Sequence, residues 1–424
     1  MSEMAVDLLE AVLARSNMQA AWLAVKANGG SAGVDRKSIE ATRAHLVQHW
    51  PAVAEKLRAG RYQPAAVRAV RIPKPQGGER QLGIPTVQDR LIQQGLLLQL
   101  GPLFEARMSE HSYGFRPGRS AHDAVQAARR HVLAGKRWVV DIDLKSFFDQ
   151  VDHDKLMHLV SQVVHDKRVL RLIGAYLRAP LHHPDGQRER RTRGTPQGGP
   201  LSPLLANIYL TPLDRELERR GIAFVRYADD IQLYAGSERA ARQMLANISA
   251  WLRAHLKLEV NEAKSGSGPS DRTQLLGFCI TTDGETRVSD KALERLQTRV
   301  RSFWSGRPHQ SLATLKRDWS QYIDGWWNYF GHASWTRDVL DLSRWIRRHM
   351  RKFLWLRWHS VPGRRKALWR LGVRGRGLYM ASSGRGAWPI AKTPTLHQAL
   401  SNQFLATHGY TLPWELVSGG PTRP

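Results

Sequence analysis

Tyr227-Ala228-Asp229-Asp230 sets two adjacent carboxylates between the apolar-rich runs Ile222-Ala223-Phe224-Val225-Arg226 and Ile231-Gln232-Leu233-Tyr234. At the tip of a hairpin, such a pair offers oxygen ligands to a hard divalent ion such as Mg²⁺ and leaves room for substrate phosphates. An Asp-Asp dipeptide in a turn is more often simply solvated. A second acidic motif upstream, Trp138-Val139-Val140-Asp141-Ile142-Asp143-Leu144-Lys145-Ser146-Phe147-Phe148-Asp149, changes that balance. Its Val pair followed by alternation of Asp with Ile and Leu predicts a buried strand whose end delivers Asp143 beside the hairpin. Asp143, Asp229 and Asp230 together can then hold two metal ions about 4 Å apart, one activating a hydroxyl and one neutralising a leaving pyrophosphate. For Asp141 and Asp149 two readings stand side by side, membership of the acidic cluster and a solvated strand edge followed by a helix cap.

The elements around these acids are legible from periodicity. Residues Val6 to Ala27 repeat apolar positions at helical spacing, Gly29-Gly30 breaks the pattern, and Ser38 caps another helix. Ile72 to Pro85 predicts a β-hairpin turning at Gly77-Gly78. In Gly194-Thr195-Pro196-Gln197-Gly198-Gly199-Pro200-Leu201-Ser202-Pro203, glycine and proline make an irregular approach to a helix starting near Ser202, and Gly198 and Gly199 permit close backbone approach to a ligand. Ser237 caps a further helix, and from Asp290 onward three helical stripes follow, around Leu296, Trp319 and Ile346.

These blocks, in this order, resemble the palm of a reverse transcriptase. Arg71-Ile72-Pro73-Lys74-Pro75 with Arg80-Gln81-Leu82-Gly83-Ile84-Pro85, Ser112-Tyr113-Gly114-Phe115-Arg116-Pro117-Gly118-Arg119-Ser120 and Gly325-Trp326-Trp327-Asn328-Tyr329-Phe330 narrow the resemblance to the group II intron-encoded reverse transcriptase and maturase family, endonuclease-lacking type. The resemblance implies an α+β right-hand polymerase fold: fingers, a palm with antiparallel sheet, then an α-helical thumb. It implies two Mg²⁺ ions, with Mn²⁺ as a substitute, on Asp143, Asp229 and Asp230, one site completed by the backbone carbonyl of Leu144. Nucleotide contacts fall on Lys74 and Arg80 of the hairpin arms, on Phe148 as a ring that would collide with a 2′-hydroxyl, on the Gln197 amide, and on Lys264 near the pyrophosphate. Leu275-Leu276-Gly277-Phe278 resembles the primer-gripping hairpin. Arg116 and Arg119 suit either a template phosphate or a brace between fingers and palm.

The chain of 424 residues has a net charge of +27 and a pI near 10.8, which makes a large anionic partner the default expectation. From Leu342 to Trp414 there is no Asp or Glu, while 14 Lys and Arg fall inside the stretch. An acid-free run of that length repels itself unless a polyanion covers it. Arg347, Arg348, Arg351 and Lys352 are taken as its RNA-binding residues. Of the tryptophans interleaved there, Trp345, Trp355, Trp358, Trp369 and Trp388, most are expected in helix core. The single Cys279 excludes a disulfide or Cys-based zinc site within one chain and argues against a cysteine-rich endonuclease module. No run is long and apolar enough for a membrane span, so a soluble, cytoplasmic, bacterial protein associated with nucleic acid is expected.

The expected organisation is an N-terminal template-covering element over 1–60, fingers and palm over 61–289, a helical thumb and maturase domain over 290–385, and a short DNA-binding-like remnant over 386–424. The function read from these features is RNA-directed DNA polymerisation, using an RNA template, DNA primer and dNTPs, joined to binding of intron RNA for splicing and of target DNA for mobility. Two alternatives are a domesticated reverse transcriptase in defence or repeat acquisition, and a non-catalytic RNA-binding splicing cofactor. Three clustered acids have no use in a mere platform and are costly there.

Overall fold

The computed structural model describes residues 7–73, 79–305, 311–335 and 337–416. The chain forms two compact units, 1–273 and 274–424.

The first unit contains ten α-helices among the described residues: α1 (Leu8–Leu13), α2 (Arg15–Asn28), α3 (Ile39–Arg58), α4 (Val87–Glu105), α5 (Ala121–Leu133), α6 (Phe147–Gln150), α7 (His153–Ser161), α8 (Lys167–Arg178), α9 (Ser202–Arg219) and α10 (Glu238–Trp251). Its strands are β1 (Val67–Pro73), β2 (Glu79–Ile84), β3 (Trp138–Asp143), β4 (Leu181–His182), β5 (Arg188–Glu189), β6 (Ala223–Tyr227), β7 (Asp230–Ala235) and β8 (Gly266–Pro269). The expected single N-terminal helix is two, because Ala14 takes an extended ψ of 137° between them. Caps fall where the sequence puts them. Ser38 accepts from the amide of Ala41 and Ser237 from that of Ala240, each satisfying an amide that the first turn leaves without a partner.

Two sheets result. The palm sheet has the order β6-β7-β3-β8, antiparallel throughout. The other has the order β2-β1-β4-β5, in which β1 and β2 are the predicted hairpin; its turn, with Lys74, lies outside the described residues. One face of the palm sheet carries the main apolar core. Val140 and Ile142 of β3, Phe224 of β6, and Ile231 and Leu233 of β7 are buried with Leu205, Ile208 and Tyr209 of α9 and with Ile248 of α10. Losing such a side chain to Ala costs about 2–5 kcal/mol, so the strands are held by apolar burial at positions interleaved with the acids.

In the second unit a short hairpin, β9 (Phe278–Ile280) with β10 (Thr286–Val288), precedes α11 (Asp290–Phe303), α12 (Leu312–Phe330), α13 (Arg337–Arg357) and α14 (Val361–Arg370). Its core joins Leu296, Val300, Trp304, Trp319, Ile323, Ile346, Met350, Phe353 and Trp355. The three predicted stripes are present, with Leu296, Trp319 and Ile346 fully buried. Tyr329 donates to the carbonyl of Leu276 at 2.9 Å, and a Cβ on Gly277 would stand 3.1 Å from the Phe330 ring. The Gly325–Phe330 block thus braces the tight Leu275–Phe278 loop. No helix among the described residues is long and apolar enough to cross a membrane.

Candidate active site and nucleic-acid surface

On β3 the period of two puts Asp141 and Asp143 on one face, away from the buried Val140 and Ile142. Antiparallel register then sets Asp143 directly opposite Asp230, the first residue of β7, while Asp141 faces Gln232. Tyr227 pairs with Asp230, leaving Ala228 and Asp229 as a two-residue turn with Ala228 at φ +60°. Three sequence-predicted acids therefore meet at one corner of the sheet. The end of β3 is clamped: the Asp143 amide donates to Ser265 Oγ at 2.9 Å, and its carbonyl accepts from the amide of Asn261 at 2.8 Å. Lys264 is exposed on that same 261–265 turn. Leu144 bridges Val260, and the two ladder bonds that flank the bridge use the carbonyls of Asp143 and Glu259, not that of Leu144.

The half-buried Asp230 carboxyl is pushed up to about 7 by loss of water, then by the charges of Asp141, Asp229 and Asp143. Burial, with Asp230 and Asp141 behind it, also pushes the Tyr234 phenol up. The repulsion is the signature of a site that suits a divalent cation, and the donors are all hard oxygens. Among the described residues no group of three His, Cys, Asp or Glu side chains is placed to hold a metal ion. Asp141, left open by the sequence, belongs electrostatically to the cluster. Its alternation with Asp143 was the available signal. Asp149 is exposed on α6.

A cavity of about 600 Å³ brings Phe148 and Gln197 together with Leu82, Phe115, Arg90 and the glycines at 29–30 and 198–199. Phe148 is placed by the turn after β3, where Ser146 sits at φ +46°, and its ring packs edge-on against Phe147 at 5.2 Å. Gln197 is placed by lacing of its segment to α6: the amide of Thr195 donates to the carbonyl of Phe148 at 2.7 Å. Gly198 and Gly199 line this cavity and are also crowded from within the chain. Cβ atoms there would stand 2.6 Å from the Gly83 carbonyl oxygen and 2.4 Å from Gln93 Oε1. Arg80 lies on β2 opposite Ile72. Phe115, exposed at φ +59°, is a cavity residue the sequence reading did not single out. Arg116 is a brace, buried with its guanidinium on Glu105 and the carbonyls of Ser109 and Ser112. Arg119 pairs with Glu110.

In the helical unit the four expected RNA contacts separate. Arg351 is buried, donating to the carbonyl of Leu400 and to Asn402 Oδ1, and Arg347 pairs with Glu415. Burial also holds the Arg351 guanidinium down to about 10. These two arginines tie the C-terminal segment to α13, which corrects their assignment to a solvent-facing phosphate surface. Arg348 lies over the Trp388 ring at 5.1 Å, and Lys352 is half-buried. The exposed basic face lies further on: Arg365, Lys366 and Arg370 on α14, then Arg374 and Arg376. With them are two exposed aromatics, Trp369 at 55% and Tyr379 at 74%, a combination suited to phosphates and unstacked bases. Of the five tryptophans, most of them expected in helix core, Trp355 is fully buried, Trp345, Trp358 and Trp388 are half-buried and Trp369 is exposed.

Residues 72–280 match the family described as reverse transcriptase (RNA-dependent DNA polymerase), and residues 293–372 match the group II intron maturase-specific domain. Protein YkfC of Escherichia coli is 31% identical over 286 residues, 58% of this chain and 75% of that protein. The group II intron-encoded protein LtrA of Lactococcus lactis is 40% identical over 164 residues, 38% of this chain but only 27% of that protein.

Proposed function

The chain belongs to the group II intron-encoded reverse transcriptase and maturase family, and on that premise we propose that it copies RNA into DNA in its first unit and holds intron RNA on its second. The observation that carries the reading is the register pairing of Asp143 with Asp230 beside the Asp229 turn, in the same unit as the cavity shared by Phe148 and Gln197. Asp143, Asp229 and Asp230, with the carbonyl of Leu144, would hold Mg²⁺. When bound, that ion supplies Lewis-acid stabilisation of charge on the reacting oxygens.

The chain's own groups do the rest. The 3′-hydroxyl of a DNA primer gives up its proton to solvent as its oxygen attacks the α-phosphorus of a dNTP, the bond to pyrophosphate breaks, and cations at Lys74, Arg80 and Lys264 are suited to the charge on the departing phosphates. Gln197 donates its amide to the nucleotide, and Phe148 excludes a 2′-hydroxyl by volume. In the helical unit, the exposed face of α14 with Arg365, Lys366 and Arg370, continued by Arg376 after it, is the surface we assign to RNA phosphates, in support of splicing and mobility of the intron.

Asp143→Asn tests the reading. Primer extension on an RNA template should fall by at least ~1,000-fold, because the charge removed acts on the chemical step, while RNA affinity stays unchanged. Extension at the wild-type rate would remove the catalytic assignment.

A further inference from the structure

A fully buried guanidinium lies behind the turn that carries Asp229. Arg226 precedes Tyr227 on β6, and neither its side chain nor that of Asp214 on α9 has any exposed surface. Its Nε and Nη2 donate to the two carboxylate oxygens of Asp214 at 2.7 and 2.6 Å. Its Nη1 donates both to Asn207 Oδ1 and to the carbonyl of Ala228, each at 2.9 Å. Asn207 in turn donates to the carbonyl of Gly114 at 2.9 Å, and Gly114 lies so close under the turn that a Cβ there would stand 2.4 Å from the Ala228 nitrogen. The Arg226 main chain is held as well, its amide donating to the His111 carbonyl and its carbonyl accepting from the Tyr113 amide.

Stability alone does not account for this network. A buried ion pair is a poor source of stability compared with apolar side chains of the same volume, because both charges must leave water. What the pair has that apolar groups lack is direction. A guanidinium is a planar fork that satisfies several acceptors at fixed angles, and here one arm reaches the carbonyl of the residue at φ +60°. A non-glycine residue in that region persists only where its surroundings over-determine it. We propose that Arg226, oriented by Asp214 and Asn207, is a positioning residue that fixes the Ala228–Asp229 peptide and so aims the Asp229 carboxylate at Asp143 and Asp230. This deepens the polymerase reading and rests on it.

Arg226→Lys keeps the charge facing Asp214 and removes the fork. Per active site, primer extension should lose about 10- to 100-fold in kcat, as is usual when a group that orients a metal ligand is removed, with the dNTP KM within about twofold. A second readout does not need turnover. Mn²⁺ binding to the RNA-free protein, followed by electron paramagnetic resonance with Asp143→Asn as the blank, should weaken by a comparable factor. Should Arg226→Lys fail to fold, as judged by thermal melting, Asn207→Ala leaves the ion pair intact and should shift both readouts in the same direction.

A folded variant with wild-type kcat and wild-type Mn²⁺ affinity overturns the proposal. So do two variants that both fail to fold, which would make the network a pillar of the fold. A wild-type chain that extends no primer, with Mn²⁺ binding still weakened by Arg226→Lys, would sink the polymerase reading and leave the positioning role standing.

Discussion

Asp230→Asn should make the metal-free protein more stable and inactive at once. A carboxyl whose folded-state pKa is raised favours the fold when protonated. The cost of ionising it is absent below 3.8, grows as pH rises towards about 7, and is complete above it. For an isolated group, moving from 3.8 to about 7 corresponds to about 4 kcal/mol. Asp230 shares its repulsion with Asp141, Asp229 and Asp143, and coupled acids do not titrate independently, so roughly half of that, about 2 kcal/mol, is the expected gain. For a unit of this size that is a rise of about 4–8 °C in Tm. The assay is thermal melting in chelator at pH 5, 6, 7 and 8.5, with primer extension measured beside it. The difference between variant and wild type should be partly developed at pH 5, which already lies above 3.8, and largest at 8.5. Millimolar Mg²⁺ should shrink it by stabilising the wild type alone, since an ion that binds only the folded state adds to its stability. A variant that melts at or below the wild-type temperature at every pH in chelator would refute the reasoning, since the acids would then not repel one another.

Phe148→Val opens the Phe148–Gln197 cavity on one side, and discrimination against ribonucleotides should drop at least ~10-fold, a change of about 1.4 kcal/mol in relative transition-state binding. Single-nucleotide incorporation with dNTP and NTP pairs measures it, and unchanged discrimination would reduce the ring to packing. On the helical unit, replacing Arg365, Lys366, Arg370 and Arg376 together with Gln should lower the slope of log affinity against log salt by roughly 0.7 for each lost phosphate contact, nearly 3 for four. Filter binding at several salt concentrations reads this, and an unaltered slope would move the RNA surface elsewhere. Arg351→Gln should instead lower the Tm of the helical unit, because it strands the Leu400 carbonyl and Asn402.

The acidic corner was legible because β-structure converts alternation into geometry. Once Asp141-Ile142-Asp143 is a strand with a dry Ile, the acids share a face, and a two-residue turn before Asp230 leaves little freedom in where Asp229 goes. The basic tail was not legible in the same way. Absence of acid says that positive charge accumulates, but it does not say which arginines turn inward. Arg351 is buried because α13 carries Met350, Phe353 and Trp355 into the core beside it and the 400–402 segment closes over that face, a long-range packing event without local signature. Arg226 was hidden for a related reason. A single charge in an apolar strand reads as a surface position until its partner, Asp214 on a distant helix, is known.

The palm therefore places unlike demands on two kinds of charge. Function asks for uncompensated acids at one corner of one face of the sheet, while the same hairpin is anchored by a compensated pair on the other face. Both depend on one register. A slip of β3 against β7 by a single residue would send Asp141 and Asp143 into the core and Ile142 into solvent, so the ladder, rather than any one side chain, sets the spacing of the acids. The bonds of the Asp143 main chain to Ser265 and Asn261 act against that slip at the strand end, and Arg226 acts against it at the turn, where its main chain is pinned to His111 and Tyr113. Held at both ends, the carboxylates keep their mutual repulsion instead of relaxing apart, and that retained repulsion is what a divalent cation would relieve.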